Sequence, residues 1–164
     1  MKTRTGFVSN SSSSSFVIGF PKKPETVAEM KETLFPEGKS QSIQCYGSTY
    51  GADQVAETVF NDIKDQKPLT KKKILAAIRE GEFEGMPRYP DSIFRLNGQA
   101  YHDAWAKYEA DRLVAAQAFY EKKLATSKLK YFEVEYSDND GDYGSTLEHG
   151  DTFSNITHIR VSHH

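Results

Sequence analysis

The stretch from Ser137 to Asp151, "SDNDGDYGSTLEHGD", holds the densest set of chemically able side chains in this sequence. Asp138, Asp140 and Asp142 set a carboxylate at every second position, the opening rhythm of a calcium loop, with Glu148 further on. The match then fails, because a loop of the EF-hand kind needs glycine where Tyr143 stands and a bidentate glutamate where His149 stands. Its flanks also read as strands, not helices. Four of the five histidines, His149, His158, His163 and His164, fall in the last sixteen residues. Asp138, Asp140, His149 and His158 would offer a divalent ion carboxylate and imidazole ligands, which suit zinc, manganese or magnesium. Such an ion would activate water for hydrolysis of a phosphodiester or an ester. The same Asp, Asn and Gly residues also serve a plain solvated turn.

The second chemical stretch is a run of five serines. Phe7 and Val8 precede it and Phe16 follows it, so it has apolar flanks where a tether would have polar ones. Ordered serines in an extended segment present hydroxyls to both faces, or gather amides and hydroxyls around an anion. Asn10, Ser11, Ser12, Ser13, Ser14, Ser15 and Phe16 are therefore expected to form a binding surface or to support one. Five equivalent hydroxyls with no base assigned to any of them do not single out a nucleophile.

The opening from Arg4 to Ile18, "RTGFVSNSSSSSFVI", resembles the start of many small, uncharacterised proteins of tailed bacteriophages and some bacteria, which share this string and then diverge. The acidic "YSDNDGDYG" turn followed by a late histidine-containing strand is similar to such proteins as well. The resemblance implies a phage or prophage origin and no particular activity.

Other candidates carry less. Cys45 is the only cysteine, which excludes an intramolecular disulfide and a thiolate zinc cluster and suits a reducing cytosol. Tyr101, Trp105 and Tyr108, with Lys107 and Arg112, would make a stacking surface for a single strand of nucleic acid, but their helical spacing predicts core. Lys71 to Lys73 read as a solvated helical turn, and His102 as an exposed or capping group.

The elements that must position these residues follow from periodicity. "FVIGF" alternates as a strand ended by Pro21. Val27, Met30 and Leu34 repeat at helical spacing before Pro36 and Gly38. "SIQCYG" reads as a short strand, then Asp53 caps a helix carrying Val55, Val59 and Ile63. Thr70 caps another, with Ile74, Leu75 and Ile78 buried and Gly81 as its stop. A proline-containing connection leads to the longest helix, from Asn97 to about Ser127. "KYFEVEYSD" and "ITHIRVSHH" alternate as strands. The expected fold is α+β, one domain over 1–164. A small, mostly antiparallel sheet, built from the N-terminal strand and a C-terminal hairpin, is covered on one face by helices.

Hydrophobic residues at 37% and charged residues at 27% describe an ordinary globular chain. A net charge of −2 gives no global field to attract nucleic acid or an anionic membrane. No stretch is apolar for long enough to span a membrane, and the N-terminus lacks the apolar core of a secretory signal. With the phage origin that the N-terminal resemblance implies, the expectation is an accessory protein in the bacterial host cytoplasm that binds a partner, a phage or host protein. A metal-dependent hydrolase centred on 138–151 and a structural component of the virion are the alternatives.

Overall fold

The computed structural model describes residues 12–125 and 128–163. Its fold is α+β, and it is organised around the strand that follows the serines. Strand β1 (Ser13–Phe20) lies at the centre of a three-stranded antiparallel sheet, between β4 (Lys130–Ser137) and β5 (His158–His163). Phe16 is opposite Val134 on one side and Arg160 on the other. The two late strands therefore do not form the hairpin that their alternation suggested; β1 separates them. The physical reason is legible in β1 itself. Phe16, Val17, Ile18 and Phe20 are all buried, and a strand apolar on both faces belongs inside a sheet rather than at its edge.

Both faces of the sheet are covered, not one. Phe16, Ile18 and Phe20 pack with Phe132, Val134 and Tyr136 against α1 (Val27–Leu34), α2 (Ala52–Ile63) and α5 (Gly141–His149). On the opposite face Val17, Tyr131 and Ile159 pack against α3 (Lys71–Glu80) and α4 (Gly98–Phe119). Each fully buried Phe or Ile contributes about 1.5–3 kcal/mol of transfer free energy, so the central strand is the main anchor of the fold.

Local chemistry sets the helix ends. The Thr26 hydroxyl accepts from the Glu29 amide at 3.1 Å, and the Thr70 hydroxyl from the Lys73 amide at 3.4 Å. Asp53 is not a cap: Gly51 precedes α2, and Asp53 in its first turn pairs with Lys31 at 2.8 Å. Strands β2 (Ser42–Cys45) and β3 (Ser48–Gly51) form a hairpin on Tyr46 and Gly47, whose φ angles are both positive.

The acidic stretch is largely helical. After one 3-10 turn at Asp138–Asp140, α5 begins at Gly141. Gly144 marks a close approach, since a Cβ there would run into the Ser137 carbonyl. This glycine has the composition of a turn and the position of a packing contact. The long helix is regular through Phe119 and ends in a π-helical turn at Tyr120–Ala125. Among the described residues no helix is long and apolar enough to cross a membrane.

Candidate functional site

Strand alternation divides the serines between the two faces of the sheet. Ser15 turns towards the α3 side, where its hydroxyl lies 2.9 Å from His163 Nε2. Ser12 and Ser14 turn towards α5, where they meet a carboxylate. Glu148, near the end of α5, is fully buried and directed at the sheet. Its Oε1 accepts from the Ser14 hydroxyl at 3.1 Å and its Oε2 from the Ser12 hydroxyl at 3.1 Å. Small side chains are needed here, because a larger residue on the strand would hold α5 away from the sheet.

Arg160 completes the cluster from β5. Its Nε donates to the Ser14 oxygen at 3.2 Å, so one hydroxyl links the guanidinium to the Glu148 carboxylate. The link supplies a buried carboxylate with charge-assisted hydrogen bonding, without which its burial would be very costly. Arg160 also lies over the Phe16 ring, 5.9 Å from its centroid.

His149 occupies the half-buried rim. Its Nε2 is 3.5 Å from Glu148 Oε2 and 3.4 Å from Ser12 Oγ, while Nδ1 faces Arg160 Nη2 at 3.4 Å. A guanidinium only donates, so Nδ1 is the accepting nitrogen and Nε2 carries the proton of the neutral ring. A serine–histidine–acid relay needs the reverse: the nitrogen facing serine bare, and the other held by the acid. Ser12 is therefore held as a hydrogen-bond partner and not as an activated nucleophile. Tyr46, at the β2–β3 turn, sets its ring edge-on to His149 with centroids 5.9 Å apart. Its φ of 49° falls in the left-handed region, where Asn and Gly are the usual residues.

The residues expected to act are distributed as follows. Asn10, Ser11 and His164 lie outside the described residues. Ser14, Ser15 and Phe16 are buried in the central strand, so they do not form an open binding surface; Ser12 and Ser13 are half-buried. The physical reason is the central place of β1, which turns this segment inward on both sides. Of the proposed metal ligands, Asp138 is exposed, and its Oδ2 lies 3.2 Å from Ser12 Oγ as an alternative acceptor to Glu148 for the one hydroxyl proton. Asp140 is exposed at the start of α5. His158 Nδ1 lies 3.1 Å from the Ile156 carbonyl, and its donor proton belongs there. His149 and His158 do share the wall of a cavity of about 130 Å³, together with Arg160 and Asp151. Among the described residues, no three His, Cys, Asp or Glu side chains come together so as to hold a metal ion.

Arg160 and Tyr46 were not anticipated. Arg160 alternates with Ile159 and Val161 as a solvent-facing residue would. The only signal against that reading is that β1 needs a second neighbour and β5 is the one available.

A different surface is built by the segment before α4 and the first turns of that helix. The Tyr89 ring packs against Phe94 at 5.0 Å, Trp105 at 5.4 Å and Tyr108 at 5.1 Å between centroids. Tyr108 is buried, but Phe94 is 75% exposed and Trp105 40%. The expectation that this helical stripe is core thus holds for Tyr108 and fails for Trp105, because α4 begins beyond the edge of the body it packs on. Arg112 is engaged, with Nη2 donating to the Gly81 carbonyl at 3.0 Å. Lys107 pairs with Asp111 at 3.1 Å.

No protein-family model matches this chain, and no curated protein or solved structure matches it.

Proposed function

We propose that this chain is a phage-type accessory protein that works by binding another protein through the ledge formed by Tyr89, Phe94 and Trp105. The observation that carries the reading is the exposure of Phe94 and Trp105 in a cluster already ordered by ring packing. Clustered, exposed aromatic rings are the side chains that dominate binding energy at protein interfaces. Rings held before binding lose little conformational freedom on contact, so less of the contact energy is spent on ordering. The N-terminal resemblance to phage proteins supports the origin. The serine segment serves this function from a distance: Ser12 and Ser14 hold the amino-terminal strand to α5 and so keep the scaffold rigid.

The net charge of −2 and the internal pairing of Lys107 and Arg112 favour a protein over a nucleic acid. The test places a photo-activatable phenylalanine analogue at position 94, in cells that make the protein naturally. A single adduct is expected, absent when the analogue replaces Lys72 on α3 and lost on Trp105→Ala. Trp105 is the only tryptophan, so its emission should shift to the blue when the captured protein is added back. Equal adducts from positions 94 and 72, or a blue shift with a single-stranded oligonucleotide instead, would refute the reading.

A further inference from the structure

The outward face of α4 carries a second apolar stripe, separate from the aromatic ledge. Advancing about 100° per residue, Ala106, Ala110, Leu113 and Val114 fall within about 60° of one line along the helix. All four are exposed, Leu113 at 51% and Val114 at 71%. The opposite side of α4 is the one that enters the core, through Tyr108, Ala116 and Phe119. A helix of 22 residues, about 33 Å long, thus offers solvent a face whose centre is apolar.

The ends of that face repeat each other in chemistry. Within the two turns before Ala106, Gln99 donates to Asp103 at 2.8 Å; beyond Val114, Gln117 donates to Glu121 at 2.6 Å. Reversed about Ala110, the stripe brings Asp103 opposite Gln117 and Gln99 opposite Glu121, an acid meeting an amide at each end. In a parallel pair the same residues would set Asp103 against Asp103 and Glu121 against Glu121. Like charges directly opposed are unfavourable, and an amide can donate to a facing carboxylate.

We infer that the partner of this face is a second copy of the chain, docked through antiparallel α4 helices with Ala110 on the two-fold axis. The surface is self-complementary in the way a closed two-fold dimer requires, and the alanines at its centre let the two helices approach closely. This inference does not depend on the aromatic ledge, since Trp105 lies on a different side of α4 from Ala106, Ala110, Leu113 and Val114.

The test is sedimentation velocity on the full chain from about 1 to 100 µM, which detects a dimer with Kd in the micromolar range. The chain should sediment as a dimer, and Leu113→Glu combined with Val114→Glu should weaken association by at least about a hundredfold, because it sets unpaired charges into an apolar contact. The circular dichroism of the variant should match the parent, which separates loss of dimer from loss of fold. In a Cys45→Ser background, Ala110→Cys should be joined between copies by a short bis-maleimide, while Ala100→Cys should not. A monomer throughout the range, a dimer indifferent to the double substitution, or equal joining at positions 100 and 110 would each overturn the inference. Phe94→Ala and Trp105→Ala should leave the dimer intact, so a failure here is distinguishable from a failure of the partner-binding reading.

Discussion

Ser14→Ala removes one oxygen from the interior and tests the reason for the serine run. That oxygen donates to Glu148 Oε1 at 3.1 Å and accepts from Arg160 Nε at 3.2 Å. Both bonds involve an ionised partner, and a hydrogen bond to a charged group contributes about 1.5–3 kcal/mol. Glu148 keeps its bond from Ser12 and its contact with His149, and half-buried Arg160 regains part of its loss from water. The expected cost is therefore about 2–4 kcal/mol rather than the sum of two full bonds. For a chain of this length, each kcal/mol lowers the melting temperature by about 2–4 °C, so a fall of about 4–16 °C is expected. Ser13→Ala is the control: it points to the other face, is half-buried, and should change stability by less than about 0.5 kcal/mol. Thermal melts of both variants, with a double-mutant cycle of Ser14→Ala and Glu148→Gln, make the assay. The cycle should show a coupling of at least about 1 kcal/mol. If Ser14→Ala melts within about 1 °C of Ser13→Ala, the serine does not hold the carboxylate and the account of this cluster is wrong.

Asp62 accepts from the Tyr136 hydroxyl at 2.9 Å, and burial raises its pKa above the ordinary value while that hydrogen bond opposes the rise. A carboxyl raised on folding adds stability that is complete below the unfolded pKa and is lost as pH rises through the folded one. Asp62→Asn should therefore flatten the acid side of the stability profile and raise the melt at pH 7; a lower melt at pH 7 with an unchanged profile would refute the assignment. Gly144→Ala should cost about 1–3 kcal/mol in urea unfolding, because its Cβ would press on the Ser137 carbonyl and on Asp140 Cβ; a silent substitution would mean that α5 is not seated so closely. Asp140→Ala should be nearly neutral, within about 0.5 kcal/mol, since Asp140 makes no capping bond from its side chain. Calcium, magnesium, manganese and zinc should produce no saturable melt shift that depends on Asp140; such a shift would restore the metal reading.

Periodicity alone determined most of the elements. The apolar spacing of α1, α2 and α3, the alternation of β4 and β5, and the cap at Thr70 are local events, governed by side chains within a turn or a strand of one another. It also located the stretches that matter, since the serine run and the segment from Asp138 to His149 do meet. What it did not contain was the partner of each element. Strands β4 and β5 are neighbours in sequence with a polar segment between them, which is the pattern of a hairpin. The continuous apolar run Phe16–Ile18 was the counter-signal, because only a central strand buries both faces. Once β1 stands between β4 and β5, two other outcomes follow: helices must cover both faces, and Arg160 turns from a surface residue into the link between Ser14 and α5.

The glycines of 141–150 show the same division. Composition cannot distinguish a glycine that makes a turn from one that admits a neighbour, and Gly144 is of the second kind. Trp105 is the converse case. Its helical spacing has the form of a core position, but burial depends on where the body beneath the helix ends, and α4 extends past that edge. Sequence determined which residues are apolar, which are small and which can form hydrogen bonds. Tertiary structure decided which of them are enclosed, because enclosure depends on contacts between segments more than a hundred residues apart, as between Ser14 and Glu148, and no local pattern encodes those.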